Sequence, residues 1–435
     1  MEIQEYINNQ KTLQSSFLQF LNEDDDNEEN YHNLIKEINN QKILKNQDEF
    51  SLFLIFISKV SDNHYHRPNF LAKIEKILIN FKKEIKKYLT NEEIFLTFKK
   101  NKRIILFLIK EKILKIDNAI FSLINKIDSS KFYQQYFFKE ISKFLSKDDK
   151  KRINKNISKY SKDEFQEKRQ IGENDTSICE LIRKDSIEQF IMHVEKNSCL
   201  LDSKIGSSYF ETNSFLLKKN PTLIEYAAFF GSIQIFRYLY LNNVELTPSL
   251  WLYAIHGENP EIINILEEKG IDPEDSTYLK CLEESIKCHN NDFASYFKNK
   301  MLEKDNNNLN SEYIENDVAY SLHYQNFSFL PEDDNKLIFY YSCVYNQYTL
   351  AKLYLHNKSI DINEPVSLRL IKLKKKSNKK KKEILKKKFF FYNEIFKMFD
   401  LIKFIVLCFI TQHFILLLIM ITRKLLIFYS LNQEL

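Results

Sequence analysis

Between residues 70 and 90 the apolar and charged positions alternate with the period of a helix. Ile74, Ile77, Leu78, Phe81, Ile85 and Tyr88 fall three and four apart, with Asn80, Lys82, Lys83, Lys86 and Lys87 between them. That spacing predicts one continuous helix with a single apolar stripe. Thr90-Asn-Glu-Glu93 stands just before Ile94-Phe95-Leu96. It predicts a capping box, in which hydroxyl and carboxylate satisfy each other's backbone donors. Residues 1–165 read throughout as successive helices of this kind. The acidic run Glu23–Glu29 lacks the glycine of a calcium loop and reads as a solvated linker. Lys147–Glu167 is polar and charged, and predicts a boundary.

From Ser177 to Glu364 one pattern recurs: a short capped helix, a tight break, and a second helix carrying paired large apolar residues. The second helices align as Phe190/Ile191 with Val194, Ile235/Phe236 with Leu239, Ile262/Ile263 with Leu266, Phe293/Ala294 with Phe297, and Leu350/Ala351 with Tyr354. Val318–Leu330 reads as a degenerate unit in the longer interval before Leu350. Thr222-Leu-Ile-Glu225 and Asp185-Ser-Ile-Glu188 are box-like starts. Thr247-Pro248 and Asn259-Pro260 each predict a cap followed by proline at the first helical position, where its missing N–H costs nothing. Ala227, Ala228 and Ala254 are small enough for two helices to approach closely. One such pair cannot bury its apolar face alone, but stacking hides each face against the next.

The segment 221–246, PTLIEYAAFFGSIQIFRYLYLNNVEL, resembles the ankyrin pattern T-P-L-H-x-A-A-x-x-G-x-x-x-I/V-x-x-L-L. Thr222, Ile224, Ala227, Ala228, Gly231, Ile235 and Leu239 match it. Leu223 stands for the proline and Glu225 for the histidine, which removes the residues of that family's hydrogen-bond lock. The run 247–268 is similar to a domain of unknown function found beside ankyrin repeats in parasitic protists, a resemblance covering roughly residues 1–364. It implies an all-α, ankyrin-like helical repeat solenoid over 177–364, with an α-helical region at 1–165 and no assigned activity. The residues expected to pack the repeats are Thr222, Ala227, Ala228, Gly231, Ile235, Leu239, Ala254, Ile262 and Leu266.

Composition narrows the chemistry. The five glycines, Gly172, Gly206, Gly231, Gly257 and Gly270, never cluster before a helix as a phosphate-cradling loop requires. Lys, Asn, Ile, Phe and Tyr are residues of A/T-rich codons, so their abundance is no functional signal. The net charge of +5 is local: residues 366–388 hold Arg369 and eleven Lys against Glu383, and residues 1–365 carry −7. A general nucleic-acid footprint is therefore absent from the body. Six scattered cysteines without a C-x-x-C pair, and an N-terminus without a signal peptide, point to a reducing, cytoplasmic setting.

Candidate chemistry is sparse. His64-x-His66 sits in a turn-rich stretch without a carboxylate pair or cysteine beside it. Cys288-His289, with Cys281 one or two turns earlier, is a partial zinc pattern that lacks a regularly spaced fourth ligand. Glu267-Glu268 and Glu283-Glu284 are adjacent on helices and diverge by about 100°, so they read as solvated faces. Trp251 lies inside a first helix and reads as core rather than as an interface anchor. No nucleophile elbow or H-E-x-x-H helix is present. No catalytic, cofactor-binding or metal residue is assigned, and a small-molecule substrate is not expected.

The C-terminal segment carries two further signals. Residues 372–388 are a Lys-rich run that suits nuclear import, an anionic lipid surface or simple solvation. Phe404–Thr422 follows as nineteen uncharged residues, interrupted by Thr411-Gln412-His413 and closed by Arg423-Lys424. At about 1.5 Å per residue it nearly spans a hydrocarbon core of roughly 30 Å, and reads as a transmembrane tail anchor with the body in the cytosol. From Lys372 onward there is no Gly, Pro, Ala or Trp, and a frameshift into A/T-rich sequence would give the same composition. The expectation is a non-enzymatic scaffold that binds another protein and is tethered by its C-terminus. The alternatives are a nucleus-directed regulator using the Lys run and an enzyme of unrecognised type.

Overall fold

Every regular element among the described residues is helical, apart from one isolated β-bridge between Lys204 and Thr222. The computed structural model describes residues 2–23, 28–63, 69–127, 130–304, 311–331 and 335–356. The Lys-rich run 366–388, the segment Phe404–Thr422 and His64-x-His66 lie outside them. Among the described residues no helix is long and apolar enough to cross a membrane.

The first 165 residues build a core from aliphatic and aromatic side chains, with the Phe17 ring edge-on to Phe53 and Phe56 at 6.1 and 5.1 Å. Ile74, Ile77, Leu78, Phe81 and Ile85 are all buried, as their spacing requires. The helix is not continuous, however. It breaks at Phe81 into Phe70–Asn80 and Lys82–Tyr88. Phe81 leaves helical geometry where its ring wedges against Phe50 and Phe53, 6.2 Å from each. The Thr90–Glu93 capping box forms, with the Thr90 N–H donating to Glu93 Oε2 at 2.8 Å. The polar stretch 147–167 folds as two helices, Lys147–Ile157 and Lys162–Ile171, anchored by buried Ile153, Phe165 and Arg169.

From Ser177 the helices come in pairs. They are Ser177–Arg183 with Ile187–Asn197, Leu223–Phe229 with Ile233–Leu241, Leu250–Gly257 with Pro260–Glu268, and Leu279–Lys287 with Asn291–Lys304. Ser311–Tyr324 is followed by a single 3-10 turn, Phe327–Phe329, and Asn335–Val344 pairs with Tyr348–His356. The six first helices pack in chain order, each on the next. The second helices of the first three pairs pack on one another in the same order.

Each first helix ends in the same turn. Asp185, Gly231, Glu258, His289, Gln325 and Asn346 all adopt the left-handed conformation, with φ between +47° and +64°. In five of these turns the next N–H reaches back five residues: Ser186 to Leu181, Ser232 to Ala227, Asn290 to Ser285, Asn326 to Ser321 and Gln347 to Ser342. This is the Schellman ending, which satisfies carbonyls that a helix terminus would leave without partners. Glycine occupies that position once. The other five residues are held there against a steric cost of roughly 1–2 kcal/mol each. The turns are also bonded to one another. Ser232 Oγ donates to Ile182 O at 2.6 Å, Asn259 Nδ2 to Gly231 O at 3.0 Å, and Asn326 Nδ2 to Ile286 O at 3.1 Å.

Of the helix-start motifs, some form side-chain caps and some do not. Asn259 caps the helix beginning at Pro260, its side chain accepting from the Glu261 N–H. Thr247-Pro248 does not do the same: the helix begins at Leu250, with Pro248 in the preceding turn, because Ser249 rather than Thr247 takes the junction. Ser186 makes no side-chain cap. Asp185 instead reaches across to the next pair and accepts from the Gln234 and Ile235 N–H groups, both at 3.0 Å.

The N-terminal helices pack along these turns. On the helix Gln47–Asn63, Glu49 accepts from Thr349, the Phe56 ring meets His289 edge-on at 5.4 Å, and Lys59 donates to His323 O. The backbone of Asn63 lies against the His256 imidazole. One helix thus runs beside the turn edge from the last pair to the third. Ile3–Asn22 adds a second contact, Gln14 Oε1 accepting from the Phe327 N–H at 3.0 Å.

Candidate functional site

The expected packing residues meet where the second and third pairs touch. Ala227, Ala228, Ile235, Leu239, Ala254, Ile262 and Leu266 are all fully buried. Thr222 caps the Leu223–Phe229 helix in a full box with Glu225. Glu225 also accepts from Ser249 Oγ of the following pair at 2.5 Å. The carboxylate that stands where the ankyrin pattern has histidine therefore ties two pairs together by another route. Gly231 and Gly257 face each other across the same seam. A Cβ at Gly231 would come 2.5 Å from Gly257 O, and one at Gly257 would overlap Ala228 O. Trp251 is fully buried, its Nε1–H donating to Ile271 O at 2.7 Å.

A polar cluster occupies the turn between the third and fourth pairs. His256 sits in the last turn of Leu250–Gly257, against the rings of Phe215 and Phe229 at 4.5 and 4.8 Å, which stack on each other at 5.8 Å. Its Nε2 is 2.8 Å from Glu284 Oε1, and Cys288 Sγ lies 3.5 Å from Nδ1 and 3.8 Å from Nε2. Lys287 Nζ donates to the same Glu284 oxygen at 2.5 Å.

Burial and charge compete at each group. Burial pushes the Glu284 carboxyl up, but the Lys287 ammonium and the His256 ring more than offset it and hold it at about 2. Burial lowers the His256 pKa against the opposing pull of Glu284. Burial, then the Glu284 charge, pushes the Cys288 thiol well up. At neutral pH the cluster holds a carboxylate, an ammonium, a neutral imidazole and a thiol.

The partial zinc pattern of Cys281 with Cys288-His289 does not assemble. His289 turns away toward Gln325 O, 3.4 Å from its Nε2, and Cys281 is buried elsewhere in the core. The residues that join Cys288 are His256 and Glu284. The pair Glu283-Glu284 is not a solvated face: Glu283 accepts from Tyr324 Oη at 2.9 Å while Glu284 turns inward. The available signal was the four-residue interval between Glu284 and Cys288, which puts both on one helix face.

A second feature lies on the second helices. Met192 is 60% exposed, Leu200 73% and Leu241 74%. Met192 and Leu241 belong to the neighbouring helices Ile187–Asn197 and Ile233–Leu241, and Leu200 follows the first of these.

A family model described as a domain of unknown function (DUF3447) matches residues 241–331. That span holds the third and fourth pairs, the polar cluster and the Ser311–Tyr324 helix. No curated protein and no solved structure matches the chain.

Proposed function

We propose that this chain is a non-enzymatic scaffold whose ankyrin-like helix pairs bind another protein through the outward row of second helices. The observation that carries the reading is the exposure of Met192, Leu200 and Leu241 on or beside adjacent second helices. Large apolar side chains left in water on neighbouring elements are the raw material of a protein interface. The six-fold recurrence of the left-handed turn and the ordered stacking of first helices support a repeat solenoid, with the degenerate unit at Val318–Leu330 falling on the Ser311–Tyr324 helix and the Phe327–Phe329 turn. The matched domain of unknown function at residues 241–331 is consistent with the resemblance to such a domain. The turn edge is taken by the chain's own N-terminal helices, which leaves the second-helix row as the surface for a partner. The reading includes a cytoplasmic body tethered by Phe404–Thr422.

The test is affinity capture with the full chain, wild type against a Met192→Asp, Leu241→Asp double variant of equal thermal stability. A partner retained by the wild type and lost from the variant is the expected result. Identical captured sets would refute the assigned face. Alkaline carbonate extraction of the same cells reads the tether, because an inserted helix stays in the pellet.

A further inference from the structure

The polar cluster has the donor set of a transition-metal centre. An imidazole, a carboxylate and a thiol converge from two helix pairs, with one ligand atom of each lying within 4.8 Å of the others. Glu284 and Cys288, one helical turn apart, point to the same side, and His256 reaches them from the preceding pair. A tetrahedral ion with metal–nitrogen and metal–oxygen distances of about 2.0–2.1 Å and a metal–sulfur distance of about 2.3 Å needs ligand–ligand edges of roughly 3.3–3.6 Å. The nitrogen–oxygen edge here is 2.8 Å and the nitrogen–sulfur edge 3.8 Å. The nitrogen–oxygen edge must open by about half an ångström, and because Cys288 Sγ lies beside the ring, nearly equidistant from Nδ1 and Nε2, rather than along the Nε2 lone pair, a χ1 rotation of Cys288 must carry the sulfur toward Glu284 by about 1.5 Å.

We propose that His256, Glu284 and Cys288 bind one divalent transition-metal ion of zinc-like character, which staples the third helix pair to the fourth. The site is independent of the partner-binding face. Thiolate and imidazole favour zinc or cobalt over magnesium or calcium, which take oxygen ligands. Binding releases the Cys288 thiol proton to solvent; the resulting thiolate and the Glu284 carboxylate neutralise a divalent charge, and three protein ligands leave a fourth position for water. His256 is 2% and Glu284 13% exposed, so the ion enters from the Glu284 side and is otherwise sealed by Phe215 and Phe229. A purely hydrogen-bonded cluster would use Lys287 as its only cation. Lys287 sits on the Glu284 oxygen that a metal would take, and the two cations therefore compete.

This competition separates the two cases. The full chain is stripped with a chelator and titrated with cobalt, reading the thiolate-to-cobalt charge-transfer band, and then with zinc by competition. The expected result is one cobalt per chain, and loss of the band in Cys288→Ser. Zinc affinity in that variant should fall beyond the roughly 10–100-fold that outer-shell losses cost. Lys287→Gln should bind zinc several-fold more tightly, since it removes the competing charge. The proposal is overturned if the wild type shows no band at equimolar cobalt, if the band survives Cys288→Ser, or if Lys287→Gln binds zinc more weakly. Should Cys288→Ser fail to fold, the wild-type titration and Lys287→Gln still decide the matter.

Discussion

Alanine in place of Gly257 should destabilise this protein, although the same change in most helices does the opposite. Gly257 ends the Leu250–Gly257 helix, and at a helical position alanine is ordinarily favoured by about 1 kcal/mol. Here the added Cβ would overlap Ala228 O and lie 2.7 Å from Gly231 N and 3.0 Å from Gly231 Cα. Those atoms are backbone of the preceding pair and cannot rotate aside. An ordinary carbon–oxygen contact is about 3.3 Å or more, so the pairs must separate by roughly 1 Å at their closest approach. Overpacking of this kind costs about 1–3 kcal/mol, and with rigid backbone on both sides the upper end applies. After the propensity gain a net loss of about 2 kcal/mol remains. Two control glycines separate contact from conformation. Gly270 has φ of +65° and nothing within 4 Å of a Cβ, so Gly270→Ala should lose about 1–2 kcal/mol from dihedral strain alone. Gly206 has neither constraint, and Gly206→Ala should be neutral or gain about 0.4–1 kcal/mol. Urea unfolding followed by far-ultraviolet circular dichroism gives the order of midpoints. If Gly257→Ala unfolds together with Gly206→Ala, the close packing of the second and third pairs at this seam is wrong.

Two further outcomes follow from polar groups. Removing the Asp185 carboxylate with Asp185→Ala leaves the Gln234 and Ile235 N–H groups without their acceptor, at about 0.5–2 kcal/mol; amide exchange at those two positions should rise, and unchanged exchange would remove Asp185 as an inter-pair cap. Burial raises the Asp62 pKa to about 7, against the opposing charges of Lys100 and Lys287. Because that exceeds the unfolded value of about 3.9, the native state holds the proton more tightly. Its contribution is therefore complete below pH 4 and is lost as the pH rises through 7, by up to about 4 kcal/mol. Asp62→Asn should flatten this fall, and equal slopes for wild type and variant between pH 4.5 and 8 would contradict it.

Helix content, the apolar stripes and the capping boxes at Thr90 and Thr222 were legible because each depends on residues within one or two turns of each other. Ile74, Ile77 and Ile85 are buried for the same reason that their spacing marks them. The break at Phe81 was not legible, since it depends on Phe50 and Phe53, which lie some thirty residues earlier. The recurring turn left little trace either. A left-handed position is conspicuous when glycine fills it, as at Gly231, but here it is also filled by Asp185, Glu258, His289, Gln325 and Asn346. The role of Glu225 was half visible: its box with Thr222 is local, whereas its bond to Ser249 crosses to the next pair.

By itself the amino-acid sequence determined that this chain is helical, where many of its helices start, and which faces are apolar. Those properties follow from the 3.6-residue period and from side chains bonding backbone groups a few positions away. The tertiary structure alone decided that the Gln47–Asn63 helix lies along the turns of the later pairs. It alone brought His256 beside Glu284 and Cys288, and turned His289 away from its chain neighbour toward Gln325. Such meetings depend on how stacked pairs align, and alignment is set by summed packing over whole helix faces rather than by any pair of residues. Close approach at Gly231 and Gly257 is the clearest instance: two glycines in sequence are two small residues, and only stacking makes each the one residue the other can tolerate.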